Sequence, residues 1–311
     1  MSVFLMQIQS LKNCIQPLSV QKNFEFSDLR YPLPVQYLRL SRKLEIAYVD
    51  EGKGGETILF VHGLGSYIPS WAKLIPLLKP YYRCIALDLP CYGKSSKGLF
   101  PISIKFYAEV LLNFLQKLNL GPVHLCGHSM GGQIAMHFTY RYPQFVKDLI
   151  LVAPAGFENF SAADRLWYNR NITALTINFT AASQIRKNIE LNFYRMPPDA
   201  EQMIRDRILL RNSSEFSFYC RAVSYCILSM IEQPVRHLIP HISHKTHIIF
   251  GENDYLIPNT YLSTKSTVSV ALEGKNLFPN ATLKILSECG HFVMFEKPQE
   301  VAQFILESLN L

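Results

Sequence analysis

Short apolar blocks alternate with longer stretches of helical spacing along most of the chain. Residues 57–61 (Thr-Ile-Leu-Phe-Val) are an almost unbroken apolar run, and comparable runs recur at 82–87, 122–126, 148–153, 246–250 and 282–286. Runs of this length, apolar at successive positions, suit strands buried on both faces of a parallel sheet. Two earlier segments, 35–40 and 44–49, read as further strands. Between the strands, the spacing predicts helices over 70–78, 103–118, 133–142, 261–271 and 298–309. Such alternation implies an α/β fold with a doubly wound, mainly parallel, eight-stranded sheet.

The alternation breaks at Pro154-Ala155-Gly156. From 157 to 240 the chain carries helix-like segments and no strand, with many aromatics, including Phe160, Trp167, Tyr168 and Phe179. This is read as an inserted helical cap over one end of the sheet. The expected organisation is an N-terminal helical extension and linker (1–34), an α/β core (35–156 and 241–311) and the cap (157–240). In the extension, Phe4, Ile8, Leu11, Ile15 and Leu18 fall on one face of a short helix that Pro17 should end. Its polar face holds a single cation, Lys12. Packing against the protein's own body, or against a second copy of the chain in a homodimer, is therefore favoured over a membrane-surface anchor.

A hydrophobic content of 49% and a charged content of 18% in 311 residues suit a globular chain with a sizeable core. The net charge of +7 raises the question of an anionic partner. Residues 57–156 hold nine Lys/Arg against three Asp/Glu, yet they form no dense basic run, zinc-finger spacing or RNA-binding signature. A solvated basic face is expected, and nucleic acid is not. Seven scattered cysteines give no disulfide framework and point to reduced thiols and a cytoplasmic location. No stretch reaches membrane-spanning length, so stable membrane insertion is not expected. The first residues lack the pattern of a secretory signal, so the sequons at Asn171, Asn178, Asn212 and Asn280 are expected to be unused.

Chemistry concentrates at Gly127-His128-Ser129-Met130-Gly131-Gly132. A Gly-x-Ser-x-Gly between a strand and a helix makes a sharp turn that lifts the serine above the sheet. A serine hydroxyl needs a base to take its proton, and that base needs an orienting group. Candidates should follow other strands, at the carboxyl end of the sheet. Gly251-Glu-Asn-Asp254 follows the strand at 246–250, and Glu288-Cys-Gly-His291 follows the last strand. The order Ser129, Asp254, His291 is the serine–acid–histidine order of this architecture. Glu252 and Glu158 are the alternative acids. His128 and His62 are read as structural, with His62 organising its loop. His237, His241, His244 and His247 have spacing like that of metal ligands, but Pro240 interrupts them and no carboxylate or cysteine joins them. No metal or other cofactor is expected.

Together these segments resemble the α/β-hydrolase fold superfamily, in its capped group of esterases, lactonases and related hydrolases. The likeness runs from about residue 35 to the end. It rests on His62-Gly-Leu-Gly, on Asp88-Leu-Pro-Cys-Tyr-Gly-Lys-Ser, on the Gly127–Gly132 elbow, on Phe250-Gly-Glu-Asn-Asp-Tyr-Leu-Ile-Pro and on Gly290-His-Phe. Cys91 departs from it, standing where glycine is usual. The resemblance implies an acyl-enzyme on Ser129, with backbone N–H groups of Leu64 and Met130 holding the oxyanion. The implied partner is a small to medium, fairly apolar acyl substrate carrying an ester or lactone. Carbon–carbon hydrolysis of ring-cleavage products and acyl transfer are the enzyme alternatives. The first loses ground because His128, Gln133 and Phe292 stand where that group usually has Asn, His and Trp. A ligand receptor with little turnover is the alternative of another class.

Overall fold

Burial explains the strands. In β3 (Thr57–Val61), Ile58, Leu59, Phe60 and Val61 are all fully buried, because helices cover both faces of the sheet. The computed structural model describes residues 23–260 and 262–310. The helix expected near residues 4–18 lies outside them. The other strands are β1 (Gln36–Arg39), β2 (Glu45–Glu51), β4 (Arg83–Leu87), β5 (Val123–His128), β6 (Val146–Val152), β7 (Thr246–Gly251) and β8 (Ala281–Leu286). They form one sheet in the order β1-β2-β4-β3-β5-β6-β7-β8. Only the pairings of β2, with β1 and β4, are antiparallel. The α/β fold expected from the alternation is therefore the observed one. From β3 the chain reaches β4 on one side and β5 on the other, so the strand order reverses at β3. A crevice opens at such a switch point, outside the carboxyl ends of the strands.

The core helices are α1 (Ile75–Leu78), α2 (Ile104–Lys117) and α3 (Met130–Arg141). The helix expected over 70–78 is broken into a 3-10 turn, Ile68–Trp71, and the single turn α1. Pro69 and Pro76 each stand in a first turn and lack the N–H needed to continue a helix from the residues before them. α2 starts where Ser103 accepts the Phe106 amide at 3.0 Å, a side-chain N-cap.

The segment expected to form the cap holds α4 (Ala162–Asn171), α5 (Ala174–Asn178), α6 (Ala182–Glu190), α7 (Glu201–Leu210) and α8 (Phe216–Glu232), with no strand between 157 and 240. Gln133 on α3 donates to the carbonyls of Met230 and Gln233 at 2.9 and 3.1 Å, and Ser229 accepts the Ile104 amide at 2.9 Å. These bonds seat the end of α8 on the core.

After the cap come α9 (Thr267–Lys275), α10 (Val293–Glu296) and α11 (Pro298–Ser308). α9 begins later than the spacing at 261–271 suggested, because Ser266 caps it by accepting the Ser269 amide. The segment 23–34 is packed rather than a bare linker. Phe26 and Leu29 are buried, and the Tyr31 hydroxyl donates to Asp88 at 2.5 Å. The apolar area of these side chains outweighs the polar composition around them. Among the described residues, no helix is long and apolar enough to cross a membrane.

Candidate active site

β5 ends at His128, and Ser129 follows with φ 54 and ψ −121, directly before α3. A non-glycine residue in this left-handed region is strained, by about 1–3 kcal/mol. Its backbone is held in place: Ser129 N–H donates to Val152 O at 3.1 Å, and its carbonyl accepts from Gly132 and Ala155. The close approach requires Gly131, where a Cβ would lie 2.2 Å from the Val61 carbonyl oxygen. The start of α3 thus points unpaired N–H groups, and the positive end of its dipole, toward the serine.

Asp254, on the loop after β7, has a side chain closed to solvent and accepts His291 Nδ1–H at 2.7 Å. Its other oxygen accepts the amides of Leu256 and Ile257 at 2.8 and 3.0 Å. With Nδ1 donating, His291 Nε2 is left as the basic nitrogen. Ser129 and His291 line one cavity of about 490 Å3 beneath the cap. The hydrogen bonds of the described residues include His291 to Asp254 and none from Ser129 to His291; in sites of this kind that link tightens when a reacting group arrives. Glu252 is exposed and turned away, whereas Glu158 lines the cavity.

The loop after β3 closes the site from the other side. His62 Nε2 accepts the Leu89 amide at 3.0 Å, so Nδ1 carries the proton and donates to Gly63 O at 2.8 Å. Burial pushes the ring below its ordinary pKa, which favours this neutral form. Ser66 N–H also donates to Gly63 O, at 3.1 Å. In a trans peptide the C=O and the next N–H point in opposite directions. Fixing Gly63 O therefore fixes the aim of the Leu64 N–H. Gly63 admits this approach, since a Cβ there would lie 3.0 Å from the Ser129 Cβ. Leu64 lines the cavity, and Met130, the first residue of α3 and next to Ser129, is fully buried. His128 donates from Nε2 to the His291 carbonyl at 3.0 Å and so braces that loop.

Several groups around the loop had no role in the sequence reading. Asp88 accepts the Ile68 amide at 2.7 Å and the Lys94 amide at 2.7 Å, besides the Tyr31 hydroxyl. From the cap, Asp206 on α7 accepts the Tyr67 hydroxyl at 2.6 Å, and Arg207 donates to Gly65 O. Asp88 lay within a motif that pointed at it. The Tyr67–Asp206 contact, 139 residues apart, had no local signal. Cys91 adopts φ 70, so the turn that glycine usually makes is made here by a strained cysteine. Three of the four histidines go separate ways. His247 Nδ1 lies 3.2 Å from the Thr282 hydroxyl and its Nε2 faces Asp148, His244 donates to Pro143 O, and the His241 ring lies beside Tyr140.

A hydroxyl on a strained turn and a histidine fixed by a buried carboxylate, both lining one cavity, form an arrangement able to carry acyl transfer. Comparison with known proteins agrees at the level of fold and family. The chain is 24% identical to a monoacylglycerol lipase of Homo sapiens over 85% of its length and 79% of that protein's. It is 23% identical to a 2-hydroxy-6-oxononadienedioate/2-hydroxy-6-oxononatrienedioate hydrolase of a Pseudomonas species, covering 84% of this chain and 90% of that one. The crystal structure of a probable hydrolytic enzyme from Pseudomonas aeruginosa PAO1 superposes with a TM-score of 0.81 at 24% identity, over 93% of this chain and 99% of that one. Residues 56–298 match the alpha/beta hydrolase fold family, and the chain belongs to it.

Proposed function

We propose that the protein is a serine hydrolase that cleaves a carboxylic ester or lactone of a small to medium, largely apolar substrate. The observation that carries this reading is the buried His291–Asp254 pair facing the same cavity as Ser129 on its strained turn. His291 Nε2 takes the Ser129 proton as the oxygen attacks the carbonyl carbon. The oxyanion that forms accepts hydrogen bonds from the Leu64 and Met130 amides, each worth ~3 kcal/mol in such sites. His291 then protonates the leaving alcohol, and water activated by the same nitrogen releases the acid. Met203, Val223, Ile227 and Met230 give the cavity apolar walls suited to an acyl chain.

The lipase relative supports ester chemistry, and the Pseudomonas relative makes carbon–carbon hydrolysis the second reading. Labelling with a fluorophosphonate should modify Ser129 and vanish in Ser129→Ala. A folded wild type that neither labels nor cleaves an activated ester would overturn the proposal. Faster turnover of a ring-cleavage product than of any ester would favour the second reading. The six described cysteines are unpaired and buried, which supports a reducing, cytoplasmic setting.

A further inference from the structure

Two cavities share one stretch of wall beside the reacting groups. The larger holds Ser129 and His291. The smaller, about 110 Å3, has a polar lining that includes Asn159, Asp164, Ser263 and Lys265. Glu158, Phe160 and Asn259 line both.

Glu158 differs from its charged neighbours in that, among the described residues, its carboxylate bonds to no side chain. Lys265 is paired with Glu273 at 2.6 Å, and Asp164 is occupied in capping α4 through the Ser161 amide at 2.7 Å. Among the described residues Glu158 belongs to no ion pair, and its carboxylate accepts the Gly156 amide at 3.1 Å. Burial, with the Asp254 carboxylate adding to it, raises its pKa to about 7. A carboxyl held this way costs stability in the free protein, and such groups collect where a ligand is bound.

The reaction geometry says which part of a substrate would meet it. His291 must reach the leaving oxygen to protonate it, so the alcohol half lies on the histidine side of the scissile carbonyl. Glu158 lines the cavity that His291 also lines, within the electrostatic reach of both His291 and Asp254.

Resting on the ester-hydrolysis reading, we propose that Glu158 recognises a hydroxyl on the alcohol half of the substrate, selecting acyl esters of a polyol over those of a simple alkyl alcohol. The acyl chain fills the apolar cavity, and the hydroxyl-bearing alcohol turns toward the polar side cavity. Because a hydroxyl both donates and accepts, it can pair with either protonation state of the carboxyl. A cationic head group would need the ionised state alone.

The test compares kcat/KM for ethylene glycol monooctanoate and ethyl octanoate, which differ by one hydroxyl, on the full chain. Wild type should prefer the hydroxyl ester by about tenfold or more, the scale of one hydrogen bond to an ionisable group. The ratio should fall toward one in Glu158→Leu and be partly kept in Glu158→Gln. A wild-type ratio near one overturns the proposal whether or not either variant folds, as does a preference that survives in Glu158→Leu. Fluorophosphonate labelling of wild type separates the two layers of inference. A labelled Ser129 with no hydroxyl preference removes this proposal alone, whereas an unlabelled Ser129 in folded protein removes the ester reading and this one with it.

Discussion

A His62→Phe substitution keeps a ring of similar size beside Tyr92, 5.3 Å from it between centroids, and removes both ring nitrogens. The Leu89 amide then loses its acceptor in a fully buried site. An orphaned buried donor costs about 1–3 kcal/mol, which sets the expected loss of stability in urea unfolding. Gly63 O loses one of its two donors and keeps the Ser66 amide. The Gly63–Leu64 peptide is therefore loosened rather than released. An oxyanion donor is worth ~3 kcal/mol at most sites where one has been removed, and partial loss of aim should lower kcat by about 10- to 100-fold. KM should change little, because the interaction strengthens only as charge develops on the oxygen. Steady-state hydrolysis of an activated ester, beside the unfolding curve, reads both quantities. A variant that is destabilised as expected but keeps kcat within about threefold would refute the link between His62 and the aim of Leu64.

Two further predictions follow from the same surroundings. A double-mutant cycle with Tyr67→Phe and Asp206→Ala, read by urea unfolding, should give a coupling of about 1–3 kcal/mol for the 2.6 Å bond between loop and cap; a value below about 0.5 kcal/mol would mean this bond does not hold the loop. Burial, with His291 adding to it, holds His128 well below its ordinary pKa, so the unfolded chain binds a proton near pH 6.5 that the folded chain refuses. The stability from this group is fully present above about pH 6.5 and falls by up to about 1.4 kcal/mol per unit below it. The urea midpoint of wild type should therefore drop more steeply from pH 7 to 5 than that of His128→Phe, and equal slopes would exclude His128 as the source.

Ser129, Asp254 and His291 could be singled out together because each sits one short loop beyond an apolar run, where strand position and motif spacing point the same way. The stretch from 157 to 240 showed in the sequence as a break in the alternation and not as a surface. Met203 and Val223 face the cavity through the packing of α7 and α8 on the core, and no periodicity within either helix says which face that is. Two of the misjudged segments have local causes that the sequence did contain. Pro69 and Pro76 mark where a continuous helix over 70–78 must fail. Phe24, Phe26 and Tyr31 gave 23–34 an aromatic content unsuited to a free linker, though their partners, Tyr219 for Phe26 and Asp88 for Tyr31, lie far along the chain.

Backbone strain is distributed in a way that ties these elements to one purpose. The described non-glycine residues with positive φ are Cys91, Asn119, Ser129, Ala153, Glu288 and Asn310. Asn119 and Asn310 close α2 and α11, where asparagine meets the left-handed turn at little cost. The other four follow the carboxyl ends of β4, β5, β6 and β8. Each costs free energy that an ordinary turn would not. The sheet tolerates them only because hydrogen bonds fix both sides, as Val152 O and the Gly132 and Ala155 amides do for Ser129, and as Ser96 O does for Cys91. For the acyl transfer proposed above, a misplacement of about 1 Å is already costly. Strained turns held by hydrogen bonds at this rim therefore suit a site assembled from separate strands. α7 is tied to the same rim through Tyr67 and Gly65, so the inserted segment is fixed to the turns it stands over.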